Sequence, residues 1–146
     1  MKVERNIRID APPKRVYDVV MDAGRLEDWV TIHHHLEDAP PGRLEEGSKL
    51  TQCLKLAGRK FKVRWTVAEN DPCRRVVWEG RGPVGSHAKV IYEFGDSSNG
   101  DCTDFHYANE YDLPGGPLGR IAGRGVARVT QKELEATLQK LKRITE

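Results

Sequence analysis

Three consecutive histidines, His33-His34-His35, are the residues of this chain whose chemistry is most conspicuous. On an extended strand His33 and His35 project from one face together with Thr31, and paired imidazoles can chelate a metal. Two histidines are fewer ligands than a zinc centre uses, and the sequence places no third ligand beside them. No metal site is therefore expected, and the run reads as surface or rim histidines. The other two, His87 and His106, fall on the opposite parity of their strands from the apolar residues. Ser86 adjoins His87 but points to the other face of a regular strand, so the two do not form a nucleophile and its base. No serine or cysteine sits in a nucleophile elbow, and no catalytic residue is assigned.

A second set of polar residues lies on strand faces that are otherwise apolar: Gln52, Ser86, Thr103 and Asn109. A buried amide has to find hydrogen-bond partners. Gln52 and Asn109 thus point either to core hydrogen bonding or to a ligand or trapped water. The aromatic residues Trp65, Trp78, Tyr92, Phe105, Tyr107 and Tyr111 share that parity, as core or as the wall of a cavity. Tyr107 or Tyr111 could act as a general acid, although a phenol near pKa 10 needs tuning for the task.

The elements that position these residues follow from periodicity. Val3, Ile7 and Ile9 share one parity and predict a first strand, ended by Asp10-Ala11-Pro12-Pro13. Val16, Val19 and Val20 then recur at helical spacing, and a second short helix is expected over Arg25 to Trp29. A strand is expected from Val30 to Glu37. From Ser48 the chain alternates strand after strand. Leu50, Gln52, Leu54 and Leu56 form one inward face; Phe61, Val63, Trp65 and Val67 the next. Val76 and Trp78, then Ala88, Val90, Tyr92 and Phe94, then Phe105, Tyr107 and Tyr111 continue it. Clean alternation with short turns predicts an antiparallel sheet of about seven strands, apolar on one face.

The cover for that face is the last segment. After Leu113-Pro114-Gly115-Gly116, residues Pro117 to Ile144 read as one long helix, with proline at its first turn. Leu134, Leu138 and Leu141 give its second half a large apolar stripe. Gly119, Ala122, Gly123 and Val126 give the same face of the first half a small one, which implies either room for a ligand or close backbone packing. Arg120, Arg124, Arg128 and Lys132 form a basic row on the other face, a solvated row or a contact with an anionic surface.

Composition sets the bounds. The 146 residues are 38% hydrophobic and 32% charged, as in a water-soluble globular chain expected to form one domain over residues 1–146. A net charge of +2 is too small to argue for nucleic acid. No apolar run approaches a membrane span, and from the charged start Met1-Lys2-Val3-Glu4-Arg5 no export signal is expected. Cys53, Cys73 and Cys102 are odd in number and widely spaced, which predicts reduced thiols and a cytoplasmic location.

The order of elements, the stretch Ile9-Asp10-Ala11-Pro12-Pro13-Lys14-Arg15-Val16-Tyr17-Asp18-Val19-Val20 followed by Trp29, and the ending Asn109-Glu110-Tyr111-Asp112-Leu113-Pro114-Gly115 resemble the START/Bet v 1-like superfamily (SRPBCC). More narrowly the chain resembles its bacterial polyketide cyclase/dehydrase and lipid-transport group. The resemblance implies an α+β helix-grip fold, a curved antiparallel sheet around a long C-terminal helix with two short helices after the first strand. It also implies a cavity for a small hydrophobic ligand such as a lipid, quinone or polyketide, held as a carrier or sensor. The alternative is a polyketide aromatase/cyclase or dehydratase working in the same cavity. Trp29 matches the family tryptophan that closes the second helix, and joins the inward aromatics and amides as a candidate ligand contact. No cofactor is expected.

Overall fold

The computed structural model describes residues 2–56, 58–112 and 117–146, and their side chains except at 84, 97–98, 112 and 117–127. Strand β1 (Lys2–Ile9) ends where Pro12 and Pro13 deny the ladder its N–H donors, and Pro13 opens helix α1 (Pro13–Val20) at a position that needs none. Val16, Tyr17, Val19 and Val20 bury one face of α1. A 3₁₀ turn at Ala23–Arg25 is capped by the Asp22 carboxylate, which accepts from the Gly24 N–H at 3.0 Å. Helix α2 (Leu26–Trp29) follows and ends on the fully buried Trp29.

Strands β2 (His33–Asp38), β3 (Lys49–Leu56), β4 (Arg59–Asp71), β5 (Arg75–Arg81), β6 (His87–Ser97) and β7 (Cys102–Asp112) complete one seven-stranded sheet. Its order is β1-β7-β6-β5-β4-β3-β2, antiparallel throughout. Only the β1 step joins strands distant in sequence, so connections between successive neighbours build the rest. The β3–β4 turn is tight, with Leu56 opposite Arg59 and Gly58 at φ 78°, a conformation that glycine adopts freely.

The inner face is the expected one: Leu50, Leu54, Val63, Trp65, Val67, Val76, Trp78, Val90, Tyr92, Phe94, Phe105 and Tyr107 are all buried in one cluster. Helix α3 (Pro117–Thr145) covers it, adding Leu134, Leu138 and Leu141 to the same cluster. The architecture is thus α+β, with the helix-grip arrangement. The end of α3 is tied to β1: Lys142 donates to the Arg8 carbonyl at 3.0 Å, and the Asp10 N–H donates to the Glu146 carboxylate at 2.7 Å. On the outer face Val77, Ile91 and Ala108 form a small second cluster. Arg75 stretches beside it to Glu69 at 3.5 Å and Glu93 at 3.7 Å, so that side-chain stems shield apolar surface.

Two local expectations fail around residue 30. The strand begins at His33 rather than Val30, because the Val30 N–H closes α2 on the Leu26 carbonyl and the Thr31 N–H goes to the Thr137 hydroxyl at 3.0 Å. His33 and His35 also do not share a face. His33 lies opposite Leu54 and His35 opposite Cys53, with a β-bulge between them. The extra residue turns His33 inward and leaves His34 and His35 together outside. Among the described residues no helix is long and apolar enough to cross a membrane.

Candidate functional site

A cavity of about 140 Å³ lies between the inner face of the sheet and α3. Leu54 of β3, Phe61, Val63 and Trp65 of β4 and Leu134 of α3 supply apolar walls. Tyr107, Asn109 and Tyr111, three successive inward residues of β7, supply a polar strip along one side. Thr130, Glu133 and Thr137 of α3 face the cavity from the other side.

Each polar group has its own electrostatic setting. The Trp65 indole N–H donates to the Gln52 carbonyl oxygen at 2.9 Å, and the Gln52 amide nitrogen meets His33 Nδ1 at 2.8 Å. Gln52 is therefore consumed in holding Trp65 against the wall. Burial holds the His33 imidazole below its usual pKa, so the neutral ring that can accept from Gln52 is favoured. Burial pushes the Tyr107 hydroxyl up to about 12, partly offset by its hydrogen bond with Tyr92. Tyr92 is raised well above the phenol range, first by burial and then by Tyr107. Tyr92 lies deeper and does not border the cavity, so its proton is satisfied on the Tyr107 oxygen, which leaves the Tyr107 O–H to donate inward. Tyr111 is raised by burial as well, offset by a hydrogen bond with Thr130. Asn109 has no side-chain hydrogen bond among the described residues, and is the amide left open to a guest.

The cavity is closed on the α2 side by a clasp. The Thr31 hydroxyl donates to the Glu133 carboxylate at 2.5 Å and lies 3.0 Å from the Thr137 hydroxyl, which also accepts the Thr31 N–H. This cluster fixes α3 to the turn before β2.

Of the residues expected at a ligand site, Trp65, Tyr107, Asn109 and Tyr111 border this cavity, and Gln52 stands behind Trp65. Trp29, Trp78, Tyr92 and Phe105 are packed into the core beneath it, in a chain of ring contacts that runs Trp29–Tyr92 at 6.0 Å, Trp78–Tyr92 at 5.7 Å and Tyr92–Phe105 at 5.9 Å. The indole N–H groups of Trp29 and Trp78 have no partner among the described residues. Thr103 is likewise spent in the core, its hydroxyl donating to the Ala11 carbonyl at 2.8 Å. Ser86 borders the cavity from a turn before β6, with its hydroxyl on the Pro83 carbonyl at 2.7 Å. The side chains of Gly119, Ala122, Gly123 and Val126 lie outside the described residues, as do Arg120 and Arg124 of the basic row; Arg128 is exposed, as is Lys132. The helical contribution from Thr130, Glu133 and Thr137 escaped the sequence reading. Its signal was present: Thr130 and Thr137 continue the stripe of Leu134, Leu138 and Leu141 at spacings of three and four.

The relatives agree with this architecture. An uncharacterised protein of Mycobacterium tuberculosis is 26% identical over 133 residues, 91% of this chain and 93% of the relative. A Thermus thermophilus protein of known structure superposes with a TM-score of 0.81 at 20% identity, over 99% of this chain and 97% of its own. An aromatase/cyclase from Streptomyces sp. R1128 superposes with a TM-score of 0.75 at 14% identity, over 99% and 93%. The family described as polyketide cyclase / dehydrase and lipid transport matches residues 1–146. With the sheet, the covering helix and the match all spanning the chain, this protein belongs to the polyketide cyclase/dehydrase and lipid-transport family.

Proposed function

We propose that this chain is a carrier or sensor for a small hydrophobic ligand, of about one ring in size and bearing a carbonyl or hydroxyl group. The family supports a ligand-binding or cyclase role, and the cavity favours one scale and one chemistry within it. Its volume of about 140 Å³ is close to that which admits a single benzene ring in an engineered apolar cavity. Pockets that take larger, drug-sized ligands run to about 300–1,000 Å³. The observation that carries the reading is the polar strip of Tyr107, Asn109 and Tyr111 set into apolar walls. It presents a held O–H donor beside an amide that can both donate and accept, the arrangement that orients a polar substituent on an apolar body. The alternative, an aromatase/cyclase or dehydratase, asks the same groups to move protons. Burial opposes this at Tyr107, whose pKa of about 12 makes it a poorer acid than a free phenol.

The test uses purified protein with three ligand sets: single-ring ketones, phenols and quinones; fused-ring polyketides; and long-chain fatty acids. Thermal shift and tryptophan emission are followed together. A single-ring carbonyl compound at about one hundred times its Kd should stabilise the protein by about 2.7 kcal/mol. Asn109→Leu should remove the preference for the carbonyl compound over the plain hydrocarbon of the same size. Silence across all three sets would refute binding; consumption of a ligand with release of water or a closed ring would establish the enzyme.

A further inference from the structure

The bulge in β2 assembles a group of side chains on the outer face, away from the cavity. His35 is the cross-strand partner of Cys53, and the bulge brings His34 alongside it. The ligand atoms of His34, His35 and Cys53 all lie within 4.8 Å of one another. The two Nδ1 atoms face each other at 2.6 Å, with the rings edge to face at 71°. Two imidazole lone pairs repel at that separation, and two N–H groups repel as well. The contact is satisfied when one neutral ring donates its Nδ1–H to the other's lone pair, and a cation that takes the place of that proton finds two nitrogen lone pairs already aimed at it. Cys53 is only 4% exposed, a thiol of the outer face covered beside two exposed imidazoles.

We propose that His34, His35 and Cys53 form a binding site for a thiophilic transition-metal ion, in the first place Zn²⁺. Three observations converge on it. The ligand set is two imidazoles and a thiolate, which suits zinc or copper and not calcium or magnesium. The separations, from 2.6 Å between the two Nδ1 atoms to no more than 4.8 Å in the group, bracket the roughly 3.3–3.6 Å between ligand atoms that tetrahedral Zn–N and Zn–S bonds require. The supporting shell is already present: the far nitrogen of His35, Nε2, lies 3.4 Å from the Glu37 carboxylate, and Glu37 is anchored by Lys62 at 2.9 Å. A carboxylate on the second nitrogen is the usual means of orienting a metal-bound histidine. Lys62 is itself the cross-strand neighbour of Cys53, and its pairing with Glu37 keeps its charge from opposing the ion. Three protein ligands leave the fourth position to water.

The site is tested on the full-length protein after chelation and desalting. Titration with Co²⁺ should give a thiolate-to-cobalt charge-transfer band in the near ultraviolet and tetrahedral visible bands, saturating at one ion per chain. Zn²⁺ should displace both. Cys53→Ser should abolish the charge-transfer band, while His34→Ala and His35→Ala should each weaken Zn²⁺ binding by at least about tenfold. His106→Ala, remote from the group, should change nothing. The proposal is overturned by a wild-type titration without the band, by a band that survives Cys53→Ser and so belongs to Cys73 or Cys102, or by equal weakening in His106→Ala. Should a histidine variant misfold, the wild-type titration and Cys53→Ser still decide.

Discussion

A methyl group added at Gly80 would lie 2.6 Å from Val63 Cγ1 and 2.7 Å from the Trp65 ring. The indole therefore occupies space that any other residue at 80 would claim. Gly80→Ala should force Trp65 off the wall, lengthen its bond to Gln52 and cost about 1–3 kcal/mol in denaturant unfolding, with a red-shifted tryptophan emission. A variant as stable as the parent with unchanged emission would show that the ring is not held this way. At this scale the sequence revealed faces and not neighbours. Gln52 was legible as an amide on an apolar face, but its use as a bracket between His33 and Trp65 was not. Strand parity has a period of two and carries no information on which residue of the next strand lies opposite. The same limit hid Cys53 from the histidines, since a one-residue bulge leaves no compositional mark on His33-His34-His35.

Helix α3 is held by two kinds of contact, an apolar stripe and the hydroxyl clasp at Thr31. Thr137→Val keeps the volume of the side chain and removes the clasp. The Thr31 N–H and hydroxyl then lose a partner, and the expected loss is about 1–3 kcal/mol by chemical denaturation. Leu138→Ala should cost more, about 2–5 kcal/mol, because it opens a void in the main core. If Thr137→Val is the more damaging, packing is not what seats the helix. The helix and its leucine stripe were plain from spacing alone. The clasp was not, because a threonine on an apolar stripe reads equally well as core filler, and the partner of Thr137 is 106 residues away in the chain.

The molecule as a whole was largely legible, because clean alternation, short turns and one long amphipathic segment admit few arrangements other than a sheet covered by that helix. Its buried phenols add a property of the entire fold. The unfolded chain releases tyrosine protons near pH 10, whereas Tyr107 keeps its proton to about pH 12 and Tyr92 beyond the phenol range. The folded state thus binds more protons in that interval, and stability is full below pH 10 and falls as the pH rises through it. Melting temperature should drop over about pH 10–12, with phenolate absorbance from Tyr92 and Tyr107 appearing only as structure is lost; Tyr107→Phe should flatten the drop. Full ionisation of all four tyrosines in a still-folded protein would contradict this. The open sheet has two free borders, β1 and β2. At one the Arg8 carbonyl is already taken by Lys142, and at the other the strand is short, bulged and lined with His34, Glu37 and Asp38. A lysine on the edge backbone at one border, and a bulge with charged side chains at the other, both work against another chain extending the sheet, so the bulge that gathers the histidines also blunts an edge open to fibril growth.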